Sequence, residues 1–280
     1  MTSLIRIDTI NDEVVKPIPQ YAGGNLDTRP VKGAQICSEP YANIFLVARK
    51  KSGKTSAVFK ILKECAGRDT KIIAFVSTLN KDQNWKNIKS YFDNKGITFI
   101  GYTSLKEDGP DRLQELIKHL ETEAEHEEEQ EDVPKVGKGL RFNEPEEEEE
   151  SKPRKLKYLA PDYIIVLDDL STELKSKSLV SLLKKNRHYK SKIIISSQYL
   201  HDVDPQARKQ IDVWIVFGGQ SDEKLQIIFK DADLSIPFEL FKKIYKFATM
   251  KPFSFLYLDT TKEEFRVNFN RIVTLPKESQ

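Results

Sequence analysis

The sequence predicts an α/β fold with a mostly parallel central sheet flanked by helices. Three observations lead there. Short continuous apolar runs, suited to strands covered on both faces, alternate with segments of helical periodicity. The first such run passes directly into a basic, glycine-containing turn and then a helix. The chain has 280 residues with 39% apolar content, enough for a sizeable core, and no apolar run approaches the ~20 residues of a membrane span.

Residues 1–40 carry Pro17, Pro19, Gly23, Gly24, Pro30, Gly33 and Pro40, and read as an extended N-terminal arm with at most one or two short strands. The main domain is expected over 41–275, with 276–280 as a tail. Its strands are expected at 44–48, 72–76, 97–100, 163–167, 192–196 and 213–217. Helices should cover 56–65, 85–92, 174–185, 222–230 and 237–249. A further amphipathic helix is marked by Leu113, Leu116, Ile117 and Leu120, and 253–258 with 265–272 should close as a hairpin. Trp85 and Trp214 read as packing residues rather than base platforms.

Charge is distributed unevenly. Residues 121–150 hold 14 acidic and three basic side chains, so the other 250 residues carry 42 basic and 29 acidic groups, net +13. The tract from about 121 to 157 has almost no apolar residue, which predicts a disordered insert within the domain. Two readings fit it: a solubilising loop, or an electrostatic mimic that competes with nucleic acid for the basic body. That body suits a polyanionic partner. Basic residues spread through 175–192 and 242–251 with few aromatics between them, a pattern for phosphate-backbone contact rather than base stacking.

Two cysteines, Cys37 and Cys65, exclude a disulfide scaffold and a four-thiolate zinc site. His119, His126, His188 and His201 show no metal-ligand spacing. The first eight residues lack the features of a secretory signal, so an intracellular protein without a membrane anchor is expected.

The chemistry concentrates in Ala48-Arg49-Lys50-Lys51-Ser52-Gly53-Lys54-Thr55, the phosphate-loop pattern with Ala48 in place of the leading glycine. Backbone N–H groups of residues 51–55 would wrap a β-phosphate at a helix N-terminus. Gly53 permits close backbone approach, Lys54 reaches the β- and γ-phosphates, and the Thr55 hydroxyl ligates Mg²⁺, so ATP and Mg²⁺ are the expected cofactors. Asp168 and Asp169 end the strand before them. The first would hold the metal and its water, the second would polarise the attacking water; the alternative is a pair of helix-capping acids near Ser171. Discounting the acidic tract, about 77 residues separate Lys54 from Asp168. That leaves room for extra elements, as where the acidic strand is not adjacent to the phosphate-loop strand. Gln198, just past the next strand, is a candidate γ-phosphate sensor or a simple loop cap. Arg208 is a candidate arginine finger acting on a neighbouring subunit, with Arg49 as a rival acting within its own chain.

Taken together, Phe45 to Thr55, Ile165 to Asp169, Arg187-His188, Ile193 to Tyr199, Arg208 and the strand Ser254 to Asp259 resemble the genome-packaging ATPases of large DNA viruses and virophages. Those are poxvirus-type members of the FtsK–HerA group of P-loop ATPases. The resemblance covers about 40–275. It implies a RecA-like (ASCE) P-loop NTPase that drives double-stranded DNA into a preformed capsid as a homo-oligomeric ring. A capsid or portal protein would be the partner, in the host cytoplasm (the viral factory) or the virion. Asp169 stands where many relatives have Glu, and the acidic tract has no counterpart in the family. Two other classes remain open: a different DNA motor, helicase or terminase-like, and a non-catalytic nucleotide-binding assembly protein.

Overall fold

In chain order the strands are β1 (Asn43–Val47), β2 (Lys71–Val76), β3 (Phe99–Tyr102), β4 (Tyr163–Asp168), β5 (Ser191–Ser197), β6 (Val213–Phe217), β7 (Phe255–Asp259), β8 (Glu264–Val267) and β9 (Arg271–Ile272). The helices are α1 (Lys54–Cys65), α2 (Gln83–Asp93), α3 (Arg112–Glu131), α4 (Lys177–Lys184), α5 (Pro205–Arg208), α6 (Asp222–Asp231) and α7 (Phe238–Ala248). The structure, a computed structural model, describes residues 27–106, 109, 111–131 and 157–274.

All nine strands join one sheet in the order β3-β2-β4-β5-β1-β6-β7-β8-β9. From β3 to β6 the pairing is parallel; β7, β8 and β9 are added antiparallel. Every residue of β1, β4, β5, β6 and β7 is buried. Their side chains feed two cores, because alternate residues of a strand face opposite sides. Phe45 and Val47 join the core beneath α3 to α7, whereas Ile44 and Leu46 join the one beneath α1 and α2. Trp85 and Trp214 are both fully buried.

The order places β5 between β4, which ends at Asp168, and β1, which leads into the glycine-lysine-threonine loop. All three strands run parallel, so their carboxyl ends share one edge of the sheet, where ligands bind in open α/β folds.

The structure departs from the sequence expectations in four places. Residues 27–40 are turns rather than an extended arm, and they bury Ile36 and Cys37 against the α1 side; residues 1–26 lie outside the described residues. The helix α3 runs eleven residues into the acidic tract, through Glu131. Its apolar row continues to buried Ala124. Glu121 accepts hydrogen bonds from Lys185 (2.8 Å) and Tyr189 (3.1 Å), while Glu123 accepts one from Tyr163 (2.5 Å). Those partners compensate these two carboxylates; residues 132–156, the rest of the insert, lie outside the described residues. The expected helix over 174–185 is divided into a 3₁₀ turn (Ser171–Lys175) and α4. The Ser176 hydroxyl restarts it by capping the N–H of Ser178. The second arm of the hairpin breaks into β8 and β9 around Asn268, which has φ 56°.

Asn43 fastens the start of β1. Its side-chain amide donates to the carbonyls of Leu183 (2.9 Å) and Gln210 (2.7 Å), and its backbone N–H donates to Asp212 (2.7 Å). Asn43→Ala leaves two carbonyls without these donors in a buried setting and should cost about 1–3 kcal/mol. The shift in the urea unfolding midpoint measures it.

Candidate active site

The loop between β1 and α1 carries two residues with positive φ, Lys51 at 62° and Gly53 at 93°. A left-handed residue at each point turns successive N–H groups inward, the geometry of an anion-binding concavity. The helices α2, α4, α5 and α6 are capped by the side chains of Asp82, Ser176, Asp204 and Ser221. At α1 the cap residue is Gly53, which makes no side-chain hydrogen bond, and its first turn holds no acidic residue. The positive end of this helix is therefore left for an external anion.

Lys54 opens α1 and is buried, at 9% exposure. Its ammonium lies 3.2 Å from Asp168 Oδ1 and 2.5 Å from Asp169 Oδ1. Asp168 ends β4 and is buried; the indole Nε1 of Trp85 donates to its Oδ2 at 3.2 Å. Asp169 lies just past the strand at φ 51°, its N–H bonded to Ser196 O at 3.0 Å. Gln198 Nε2 donates to Asp169 Oδ2 at 3.3 Å. One edge of the sheet thus gathers Lys54, Asp168, Asp169 and Gln198, residues from three separate strand ends.

Burial pushes the Asp168 carboxyl above its ordinary range, while the Lys54 ammonium opposes the shift. Asp168 Oδ1 is buried and faces the Lys54 ammonium, its counter-charge. That is the donor chemistry a hard divalent cation seeks, and Thr55 follows Lys54 on the same helical turn. The residues present fit Mg²⁺ and a polyphosphate.

Arg208 is where the sequence reading needs correcting. It does not lie along an exposed edge: at 6% exposure it is buried, with Nε 2.6 Å from Asp231 Oδ2 and Nη1 donating to the carbonyls of Leu200 (3.1 Å) and Val203 (2.8 Å). It ties α5 to α6, and freeing it for a neighbouring subunit would strand Asp231. Arg49 stands elsewhere. With Lys50, Gln198, Tyr199 and Lys224 it lines a cleft of about 460 Å³ beside the acidic pair. Gly219, at φ 85°, gives it room, since a Cβ there would come 3.1 Å from the guanidinium carbon. Sequence reasoning overlooked Trp85 as a partner of Asp168, and Tyr199 and Lys224 as cleft residues. No local motif marks them; only the sheet order brings them to this edge.

No family model matches the sequence. An uncharacterized protein, 075L, of Invertebrate iridescent virus 6 is 31% identical over 108 residues, which are 37% of this chain and 42% of that protein. The match therefore spans less than half of that relative. Among solved structures, the genome packaging NTPase B204 from Sulfolobus turreted icosahedral virus 2 superposes in its complex with ATP-gammaS at a TM-score of 0.51. It shares 18% identity and covers 81% of this chain and 97% of its own. The same protein with AMP gives 0.50 at 19% identity, covering 85% and 99%. The fold is that of a P-loop NTPase. In this sheet β1, which leads into the glycine-lysine-threonine loop, and β4, which ends at Asp168, lie one strand apart, as the sequence spacing suggested. Among the described residues no helix is long and apolar enough to cross a membrane.

Two outcomes follow. Because the folded state holds the Asp168 proton more tightly than the unfolded chain does, this carboxyl's contribution favours the fold in acid and is lost as pH rises through its raised pKa. Without nucleotide, the thermal stability of Asp168→Asn relative to the parent chain should therefore rise from acid towards neutral pH. Arg208→Ala should destabilise the chain by about 3–5 kcal/mol, the cost of breaking a buried ion pair, as read from chemical denaturation. A variant as stable as the parent would return Arg208 to a surface role.

Proposed function

We propose that the chain is an ATPase motor that packages double-stranded DNA into a viral capsid. The observation that carries this is the Lys54 ammonium held against both Asp168 and Asp169, with Gln198 on the second carboxylate, at the mouth of an uncapped helix. The likeness to viral genome packaging NTPases supports the choice among P-loop activities.

The loop N–H groups of residues 51–55 and the positive end of α1 bind the phosphates, and Lys54 leaves its acid partners to meet the β- and γ-phosphates. Thr55 and Asp168 would hold Mg²⁺, which when bound neutralises charge that builds between the β- and γ-phosphate oxygens. Asp169, released from Lys54 and steadied by Gln198, accepts hydrogen bonding from the attacking water and orients it towards the γ-phosphorus. Trp85 donates to the other Asp168 oxygen and so orients the carboxylate that would hold the cation. Arg49, on the cleft beside Gln198, supplies positive charge to the γ-phosphate from within the same chain in this reading, supported by its position on that cleft.

DNA contact falls to the exposed basic residues Lys175, Lys177, Lys184 and Arg187, and to Lys243, Lys246 and Lys251 around α7. Several other members of those segments are already engaged. Lys185 pairs with Glu121, Lys242 pairs with Asp222, and buried Lys192 donates to the Glu39 carbonyl at 2.6 Å. Translocation implies a ring of identical subunits, a duplex through it and a capsid or portal partner.

Lys54→Ala should abolish ATP hydrolysis, and Asp169→Asn should retain ATP binding while hydrolysis falls by roughly 10²–10⁴-fold. Phosphate-release assays with and without duplex DNA, beside equilibrium nucleotide binding, test both. Normal turnover in Lys54→Ala would remove the phosphate-loop assignment.

A further inference from the structure

The phosphate loop and its acids occupy the carboxyl ends of the strands. A separate cleft of about 580 Å³ opens at the opposite edge, where β2, β4 and β5 begin. Backbone contacts fix its frame. Lys32 N–H donates to Leu159 O at 2.8 Å, Leu159 N–H donates to Pro30 O at 3.0 Å, and Val31 pairs with Leu159 as a parallel bridge. The Thr70 hydroxyl accepts from Gly67 N–H and donates to Pro161 O, both at 2.7 Å. A Cβ on Gly67 would come 2.7 Å from that of Ala160, so the turn before β2 packs closely on the segment before β4.

The lining carries an excess of positive charge. Arg29 and Asp27 neutralise each other, with Arg29 Nε 2.9 and 3.0 Å from the two carboxylate oxygens. That leaves Lys32, Arg68, Lys157 and Lys190 against Asp69 and Asp162. The ammonium groups of Lys32 and Lys157 stand 5.9 and 5.5 Å from the centre of the Tyr158 ring. Among the described residues neither of them, nor Arg68, forms an ion pair.

The same chain supplies a matching polyanion beside this cleft. Glu146 to Glu150 are five consecutive glutamates, and the run ends seven residues ahead of Lys157. Seven residues span at most ~25 Å, so the tether keeps the run within reach of the cleft that Lys157 lines. The other flank of the acidic insert reaches this edge too: Glu123 and Ala124 of α3 share a small cavity with Asp162 and Lys190. A short tether gives an effective concentration of ~1 mM, enough to fill a weak site. The form of the cleft favours a peptide over a duplex. DNA offers a rigid, convex phosphate array, and here it would also meet exposed Asp69 and Asp162. An extended peptide can enter the concavity, set its carboxylates on the cations and turn its N–H groups to the two aspartates.

We propose that this cleft is a docking site for an acidic peptide and that its occupant is the Glu146–Glu150 run of the same chain, with Lys32, Arg68 and Lys157 as the carboxylate partners.

The test uses a labelled synthetic peptide with the sequence of residues 143–151 and variants of the full chain. The peptide stops at Ser151 and omits Lys152, Arg154 and Lys155, so its binding reports the cleft and not the basic residues next to the run. A variant carrying Glu146→Gln through Glu150→Gln should leave the cleft free. The peptide should bind it about tenfold more tightly than it binds the parent, whose own run competes. Adding Arg68→Glu and Lys157→Glu, at positions exposed to solvent and therefore tolerant of the change, should remove that binding. Equal binding to the parent and the glutamine variant, binding to neither, or binding that survives the charge reversals would overturn the proposal. So would a parent that takes up the peptide on dilution, since another copy's run would then be the occupant. Binding of duplex DNA, but not of the peptide, to the glutamine variant, lost with the charge reversals, would make the cleft a nucleic-acid surface and overturn it as well.

Discussion

The site depends on one buried electrostatic contact, the Lys54 ammonium between two carboxylates at the carboxyl edge of the sheet. A buried ammonium and a buried carboxylate are each costly alone, and they are tolerated because each neutralises the other. The geometry asks much of the backbone. Lys54 must begin a helix, Asp168 must end a strand, and Asp169 must turn left-handed at φ 51° to bring a second carboxylate to the same nitrogen. The parallel strands β1, β4 and β5 answer that demand by ending together, with β5 setting the spacing between lysine and acid. An anion entering the loop competes for the same ammonium. In the proposed reaction, binding would trade an internal salt bridge for an external one and free both acids.

What surrounds this contact stiffens it. Trp85 brings the first turn of α2 onto Asp168, while Asp82 caps that same helix. Gln198 joins the end of β5 to Asp169, and the neighbouring Ser197 hydroxyl donates to Asp202 at 2.7 Å. The carboxyl edge is thereby a connected polar layer over an apolar sheet. A change at the γ-phosphate position would be felt at β5 and the segment after it, which Arg208 anchors through the carbonyls of Leu200 and Val203.

Much of this was legible in the sequence, for identifiable reasons. Strands covered on both faces are written as continuous apolar runs, so β1, β2, β4, β5 and β6 stood out, as did the glycine-lysine-threonine turn between a run and a helix. The order of β4, β5 and β1 was foreshadowed by the length of chain between Lys54 and Asp168. Other features depend on contacts between distant residues. Nothing near Arg208 announces that Asp231, 23 residues later, will bury it, and an arginine on an expected edge reads as free. Composition argued against helix beyond residue 120. It was overruled by partners of Glu121 and Glu123 from outside the helix, Lys185, Tyr189 and Tyr163, beside His119 one turn back on α3 itself.

The fate of Arg208 also bears on how subunits could cooperate. A finger acting between subunits must be exposed, with few internal partners, until a neighbour arrives. Arg208 has a carboxylate and two carbonyls within hydrogen-bonding distance, and it would have to leave all three to reach a neighbour. Arg49 makes no such commitment. It is exposed on the phosphate loop itself, over a glycine that leaves space for it, and its cleft also holds Lys50 and Lys224. Three basic side chains, Arg49, Lys50 and Lys224, therefore already line one cleft within a single chain. In the ring proposed above, a neighbour would then have charges to enclose rather than a missing one to deliver.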